Sequence, residues 1–191
     1  AFNFVYEANI RYLHHLGEVT YFSPLADTSL PDAGFVYLPG GYPELYLAAL
    51  SANRQMLQSI RRYVESGGKL LAECGGMMYL CDEIRDKNGY VYPMAGVLHQ
   101  SATMENMKLR LGYRTLLYNE TRLKGHEFHY SRLVEQQNPL PSCAVAYTAK
   151  GVETDTPLYH YKNVWAGYTH LYWADPVGNE WFTKFVIDGN I

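Results

Sequence analysis

Apolar positions recur along the first segment at Val5, Ala8, Tyr12, Leu13 and Leu16. That spacing predicts an amphipathic helix over residues 2–16, with Gly17 where a C-cap glycine belongs. Residues 18–22 read as a short strand, closed by the turn chemistry of Ser23, Pro24 and Asp27. Phe35-Val36-Tyr37-Leu38 is apolar without alternation, the pattern of a strand buried on both faces of a parallel sheet, and it stops at Pro39-Gly40-Gly41. The stripe Met56, Leu57, Ile60, Tyr63 and Val64 predicts a helix over 53–66, ended by Gly67-Gly68. Residues 69–72 form the next buried strand, Cys74 follows just beyond it, and a new helix is expected over 77–84. Past Asn88 the texture changes. Strand-like stretches at 96–103, 112–118, 126–133, 144–148 and 164–168 follow one another before a closing helix over 180–187.

The strand–helix alternation of the first half predicts an α/β protein with a doubly wound, largely parallel sheet, a flavodoxin-like three-layer arrangement. The later strands are expected to be an antiparallel extension of that same sheet. No repeat and no long linker divides the 191 residues, so one domain over 1–191 is expected. A doubly wound fold usually begins with a strand, whereas this chain opens on a helix. The expectation is a piece of a longer polypeptide, with a first parallel strand in the missing stretch.

Composition narrows the function classes. With 48% hydrophobic and 18% charged residues the chain is too apolar for a disordered segment. Sixteen basic against 19 acidic residues give a net charge of -3, which argues against a nucleic-acid-binding face. No apolar run approaches the roughly 20 residues of a membrane span, and no basic-then-apolar signal opens the chain. The three cysteines, Cys74, Cys81 and Cys143, cannot all pair, and their spacing matches no zinc site. A reduced, cytoplasmic setting is the natural expectation.

Candidate chemistry gathers at three strand ends. Ala72-Glu73-Cys74-Gly75-Gly76 places a thiol on a tight strand-to-helix turn with small residues two positions to either side, as a strained nucleophile turn requires. The helix that follows is expected to lower the thiol pKa through its N-terminal dipole. Cys81 and Cys143 lack such a setting and read as structural. Leu38-Pro39-Gly40-Gly41-Tyr42-Pro43-Glu44 ends another buried strand, where paired glycines let backbone N–H groups approach a ligand as an oxyanion hole does. His170, beside Gly167 at the end of a late apolar strand, is the candidate base among seven histidines. His14 and His15 are expected at the surface. The odd separation of His126 and His129 puts them on opposite faces of a strand, against a metal site.

The runs Pro39-Gly40-Gly41-Tyr42-Pro43-Glu44, Ala72-Glu73-Cys74-Gly75-Gly76-Met77-Met78-Tyr79-Leu80 and Gly125-His126-Glu127-Phe128-His129-Tyr130-Ser131 resemble the cobyrinic acid a,c-diamide synthase family, in its C-terminal class I glutamine amidotransferase domain. So do Ala1-Phe2-Asn3-Phe4, Phe22-Ser23-Pro24-Leu25, and Tyr161-Lys162-Asn163-Val164 leading to Tyr168-Thr169-His170-Leu171. The likeness covers essentially the whole chain in order.

The resemblance implies a glutaminase half that hydrolyses glutamine and passes ammonia to a preceding ATP-dependent synthetase domain, which amidates a corrinoid precursor. ATP and Mg2+ would belong to that domain, since no phosphate-cradling Gly-Lys-Ser/Thr loop occurs here and no cofactor is implied for this part. Carried over, Cys74 is the nucleophile, His170 the base, and Gly41 and Gly75 the backbone oxyanion donors. Glutamine and the synthetase domain are the implied partners, and a homodimer stays open. Many relatives carry a Glu two residues after the catalytic His, where this chain has Tyr172. The orienting group is then one of Glu44, Glu73 and Glu127, or absent altogether; alternatively these carboxylates read the α-amino group of glutamine or face the synthetase domain. Sister acceptors (cobyric acid, nickel sirohydrochlorin or a cell-wall lipid), a stand-alone cysteine hydrolase on a similar fold, and a non-catalytic interaction module are the alternatives.

Overall fold

The computed structural model describes residues 1–188. Helix α1 (Glu7–Leu16) is followed by irregular backbone as far as β1 (Phe35–Leu38). A 3-10 turn (Pro43–Leu45) leads to α2 (Leu47–Ala52), α3 (Arg54–Glu65), β2 (Lys69–Glu73) and α4 (Gly75–Leu80). Next come β3 (Glu83–Arg85), β4 (Val91–Pro93), β5 (Ser101–Thr103), β6 (Arg110–Tyr118), β7 (Thr121–His129) and β8 (Arg132–Leu133). Strands β9 (Val145–Thr148), β10 (Glu153–Thr154), β11 (Leu158–Tyr161), β12 (Val164–Gly167) and β13 (His170–Leu171) complete the sheets, and α5 (Pro176–Thr183) runs into a π-helical turn (Lys184–Asp188).

The fold is α/β, but the strands of the described residues form three sheets, two mixed and one antiparallel, rather than one largely parallel sheet with an extension. The first has the order β1-β2-β12-β11, parallel except for the β11–β12 pair. The second, β10-β9-β6-β7-β13, is antiparallel throughout. The third, β4-β3-β5-β8, is mixed. The reason lies in the side-chain pattern. β2 is buried on both faces: Leu70 packs with Met56, Ile60, Val64 and Met77 on one side, while Leu71 packs with Trp165, Trp173 and Phe182 on the other. β6 and β7 instead alternate in burial and keep a solvent face, so they form a sheet of their own. Their two-residue turn, Asn119-Glu120, has φ values of 43 and 65°, a left-handed pair that matches the twist of a hairpin.

Several boundaries differ from the sequence expectation. Residues 18–22 are irregular, and α1 begins at Glu7 because the residues before it bridge to the site: Phe4 pairs with Gly40. Gly17 caps α1 through its N–H to Leu13 O at 3.1 Å, in extended rather than left-handed backbone. The helix expected over 77–84 starts at Gly75 and stops at Leu80, and Ile84 lies in β3 instead. The closing helix starts earlier than expected, at Pro176, where Asp175 Oδ1 accepts from the Gly178 N–H at 2.7 Å.

Helix α4 lies so close to β1 that a Cβ on Gly76 would run into the Leu38 carbonyl oxygen. Backbone on both sides leaves nothing flexible to give way. Gly76→Ala is expected to destabilise the fold by about 2–3 kcal/mol, read as a lower midpoint in chemical denaturation.

Candidate active site

Cys74 sits between β2 and α4 with φ 49° and ψ -108°. That backbone is sparsely populated for any residue with a side chain and is held in place by its surroundings. The Cys74 N–H donates to Gly167 O at 2.7 Å, tying the turn to the end of β12. The start of α4 meets the turn that follows β1: a Cβ on Gly75 would lie 2.7 Å from Pro43 Cδ and 3.3 Å from Gly41 N. The Gly41 and Gly75 backbones are therefore neighbours, and the Gly75 N–H faces the thiol. The side chain is 4% exposed, with Sγ 3.9 Å from Phe128 O. Burial pushes the thiol pKa up to about 12; the Gly75 N–H opposes the rise, and the carboxylates of Glu44, Glu73 and Glu127 add to it. This reverses the expected lowering. A six-residue helix start does not outweigh the loss of water.

His170, on β13, is 3% exposed. A Cβ on Gly40 would lie only 2.0 Å from the Cε1 edge of its ring, and the Phe4 and His126 rings lie 4.4 and 5.8 Å away, centroid to centroid. Gly40 thus packs on the imidazole while Gly41 packs on the turn after Cys74. One turn between the two brings them together. Among the described residues no hydrogen bond joins Cys74 Sγ to His170. Burial, with His126 and His129 adding to it, lowers the His170 pKa to about 3, so the resting pair is a thiol and a neutral imidazole.

The three carboxylates take different places. Glu73 is buried, accepts from Tyr37 Oη at 2.6 Å and from the Leu171 N–H at 3.0 Å, and places Oε2 3.9 Å from His170 Nδ1. Burial raises its pKa to about 8. Glu127 is also buried but is held by Arg114, whose Nε and Nη2 donate at 3.0 and 2.9 Å, and by Thr169 Oγ1 at 3.4 Å. Glu44 lies half-buried on the 3-10 turn. Tyr172 rests edge-on against Tyr6 at 5.5 Å.

His126 and His129 do lie on opposite faces of β7: His129 stacks on Tyr168 at 3.8 Å, while His126 flanks His170. His14 and His15 are exposed, and Cys81 is fully buried with its Sγ at Met77 O. Cys143 is the half-exposed thiol.

Three residues that sequence reasoning passed over also shape the site. Asn9, on the inner face of α1, donates to Leu171 O at 2.8 Å and accepts from the Trp173 N–H at 3.0 Å, clamping the chain just beyond His170. A polar residue between Ala8 and Tyr12 on an apolar stripe was its only signal. Phe4 covers His170, and Tyr37 holds Glu73; Phe4 stands out only within the family-like opening run, and Tyr37 only within an apolar strand. The Phe4 N–H donates to Gly40 O and the Tyr42 N–H to Ala1 O, each at 2.9 Å, so residues 1–4 lie along the glycine turn.

A thiol on a strand-to-helix turn, with a buried imidazole packed on the adjoining glycine turn, sits here on a fold that solved structures share. A crystal structure of a glutamine amidotransferase matches with a TM-score of 0.59 and 17% identity, covering 94% of this chain and 92% of that one. PurLQS from Thermotoga maritima matches with a TM-score of 0.57 and 16% identity, covering 95% and 89%. The class is that of the glutamine amidotransferase fold. Residues 1–177 match the CobB/CobQ-like glutamine amidotransferase domain, and the chain belongs to that family. A hydrogenobyrinate a,c-diamide synthase of Pseudomonas aeruginosa is 39% identical over 178 residues, 90% of this chain and 39% of the relative. A cobyrinate a,c-diamide synthase of Fusobacterium nucleatum is 39% identical over 181 residues, again 90% and 39%. The chain therefore spans about two fifths of the length of these relatives. No helix among the described residues is long and apolar enough to cross a membrane.

Proposed function

We propose that this domain is the glutaminase half of a cobyrinate a,c-diamide synthase, in which Cys74 and His170 cleave the side-chain amide of glutamine. The thiol proton passes to His170 as the sulfur attacks the carboxamide carbon. The oxyanion of the tetrahedral adduct accepts from the Gly41 and Gly75 N–H groups. Collapse expels ammonia, which takes its third hydrogen from the imidazolium and leaves a γ-glutamyl thioester. Water, deprotonated by His170, then releases glutamate and restores the thiol. The ammonia goes to an ATP- and Mg2+-dependent synthetase domain that amidates the corrinoid precursor, in the cytoplasm.

The observation that carries this reading is the shared packing of the Cys74 turn and the His170 ring on Gly41 and Gly40. The acceptor is favoured by the a,c-diamide synthases among the relatives; cobyric acid, nickel sirohydrochlorin and lipid acceptors are the second reading, separated by offering each acceptor to the full-length protein.

A glutamine-mimicking electrophile is the direct test of the nucleophile. It is expected to label Cys74, and excess glutamine is expected to protect against it. A small general alkylating agent should instead modify the half-exposed Cys143 first. Labelling of Cys81 or Cys143 by the glutamine mimic, with Cys74 untouched, would remove the assignment.

A further inference from the structure

His170 Nδ1 is buried without a hydrogen-bond partner, although an imidazole that shuttles protons needs its second nitrogen paired to hold one tautomer. The carboxylate facing that nitrogen is Glu73, with Oε2 3.9 Å away. Glu73 is not free to swing. Tyr37 Oη donates to Oε2 and the Leu171 N–H to Oε1, so its carboxylate is gripped from β1 and β13 while its own backbone belongs to β2. Tyr37 is in turn braced edge-on by Trp173, 4.9 Å between centroids. The other candidates are differently engaged. Glu127 is occupied by Arg114 and Thr169, and Glu44 lies on the 3-10 turn with no ion pair to His170 among the described residues.

We infer that Glu73, clamped by Tyr37, is the positioning carboxylate of His170, supplying from the residue before the nucleophile what Tyr172 does not supply after the base. This deepens the Cys74–His170 reading and rests on it. When the thiol proton moves to Nε2, the imidazolium has a second N–H, at Nδ1, in a buried site. A movement of about 1 Å brings that N–H into hydrogen-bond reach of Oε2. The proton stays on the imidazolium; Glu73 accepts a hydrogen bond and balances charge. An imidazolium beside it favours the charged carboxylate, opposing the effect of burial. The titratable groups around His170 are Glu73 from β2 and His126 and His129 from β7, and those around Glu73 are Tyr37 and Tyr6. Glu127 faces His126 and His129 in turn, and Glu44, Glu73 and Glu127 all act on Cys74. The acid limb of the rate profile is accordingly a property of the group, with Glu73 the carboxylate that faces His170.

The test compares Glu73→Gln, Tyr37→Phe and Cys74→Ala in the full-length protein, measuring amide formation driven by glutamine and, as a control that bypasses this site, by added ammonium salt. Glu73→Gln is expected to lower glutamine-driven turnover about 100-fold and to move the acid limb of its pH profile to lower pH, because an imidazole without its carboxylate holds a proton less tightly. Tyr37→Phe should act in the same direction, by about tenfold. Ammonium-driven turnover should hold in both. If Glu73→Gln keeps its glutamine-driven rate and an unmoved acid limb while Cys74→Ala is inactive, the inference falls and the nucleophile stands. If Cys74→Ala also keeps its rate, the underlying reading falls first. Loss of both activities in Glu73→Gln with an unmoved acid limb would make Glu73 a structural residue only, and would equally overturn the inference.

Discussion

Cys74→Ala is expected to cut glutamine-driven amide formation in the full-length protein by about 10³-fold or more, while ammonium-driven formation continues. The size of the loss follows from what the sulfur does. It forms the bond that divides amide hydrolysis into two easier steps, and no neighbouring group can take its place: Cys81 is fully buried at the C-terminal end of α4 and Cys143 lies just before β9. Cys74→Ser is the sharper form of the experiment. It keeps the shape and a hydroxyl in the same strained backbone, yet an alcohol is far harder to deprotonate beside an imidazole whose pKa burial has lowered to about 3. Both variants should fold, since the turn is held by the Cys74 N–H and by glycine packing, neither of which needs the sulfur. Parallel measurement of ammonia release and of the denaturation midpoint separates lost chemistry from lost structure. A serine variant with near wild-type glutaminase activity would contradict the assignment.

Gly40→Ala should have the second largest effect, and it tests geometry rather than chemistry. The added methyl would press within 2.0 Å of the Cε1 edge of the His170 ring, and that ring cannot simply withdraw, because Phe4 and His126 flank it. The imidazole must shift by a substantial fraction of an ångström or rotate. A displacement of about 1 Å in a reacting group typically costs about 100-fold in rate, so glutamine-driven turnover should fall by one to two orders of magnitude. The turnover number should bear the loss more than KM. The stability cost should be smaller than for Gly76→Ala, because a side chain can adjust where backbone cannot. Unchanged turnover in Gly40→Ala would mean that His170 works from some other position, and the shared glycine turn would lose its meaning.

Much of this was legible from residue pattern alone. The short apolar runs at Phe35 and Leu70 marked strands buried on both faces, and small residues around Cys74 marked the tight turn at the end of one of them. What stayed hidden depended on distance in the chain. Periodicity describes neighbours, so it could not show that β6, β7, β9, β10 and β13 would form a sheet of their own instead of extending the first. Nor could it show that Met77 to Leu80 would stop short so that Ile84 could join β3. Pattern also misjudged electrostatics. A helix start after a cysteine suggests a more acidic thiol, but the depth of burial that reverses this comes from β7, β12 and the first four residues packed around it. Asn9, Phe4 and Tyr37 act on groups far along the chain, and apart from the polarity of Asn9 on an apolar stripe nothing local marks them.

Cys74 issues from the sheet β1-β2-β12-β11, whereas His170 belongs to the sheet β10-β9-β6-β7-β13 through two ladder positions on β7. Only Tyr168 and Thr169 carry the chain from Gly167, at the end of β12, across to His170. The spacing of sulfur and imidazole is therefore not a matter of register within one ladder. It depends on the angle at which two layers meet, and that angle is set by the side chains wedged between them, Trp173 and Phe182 stacked at 3.9 Å among them. Substitutions in that wedge can alter the reach of the base without touching either motif or breaking a single sheet hydrogen bond. Lineages that differ only in such interior aromatics would then differ in the tuning of the site while their signature residues read the same.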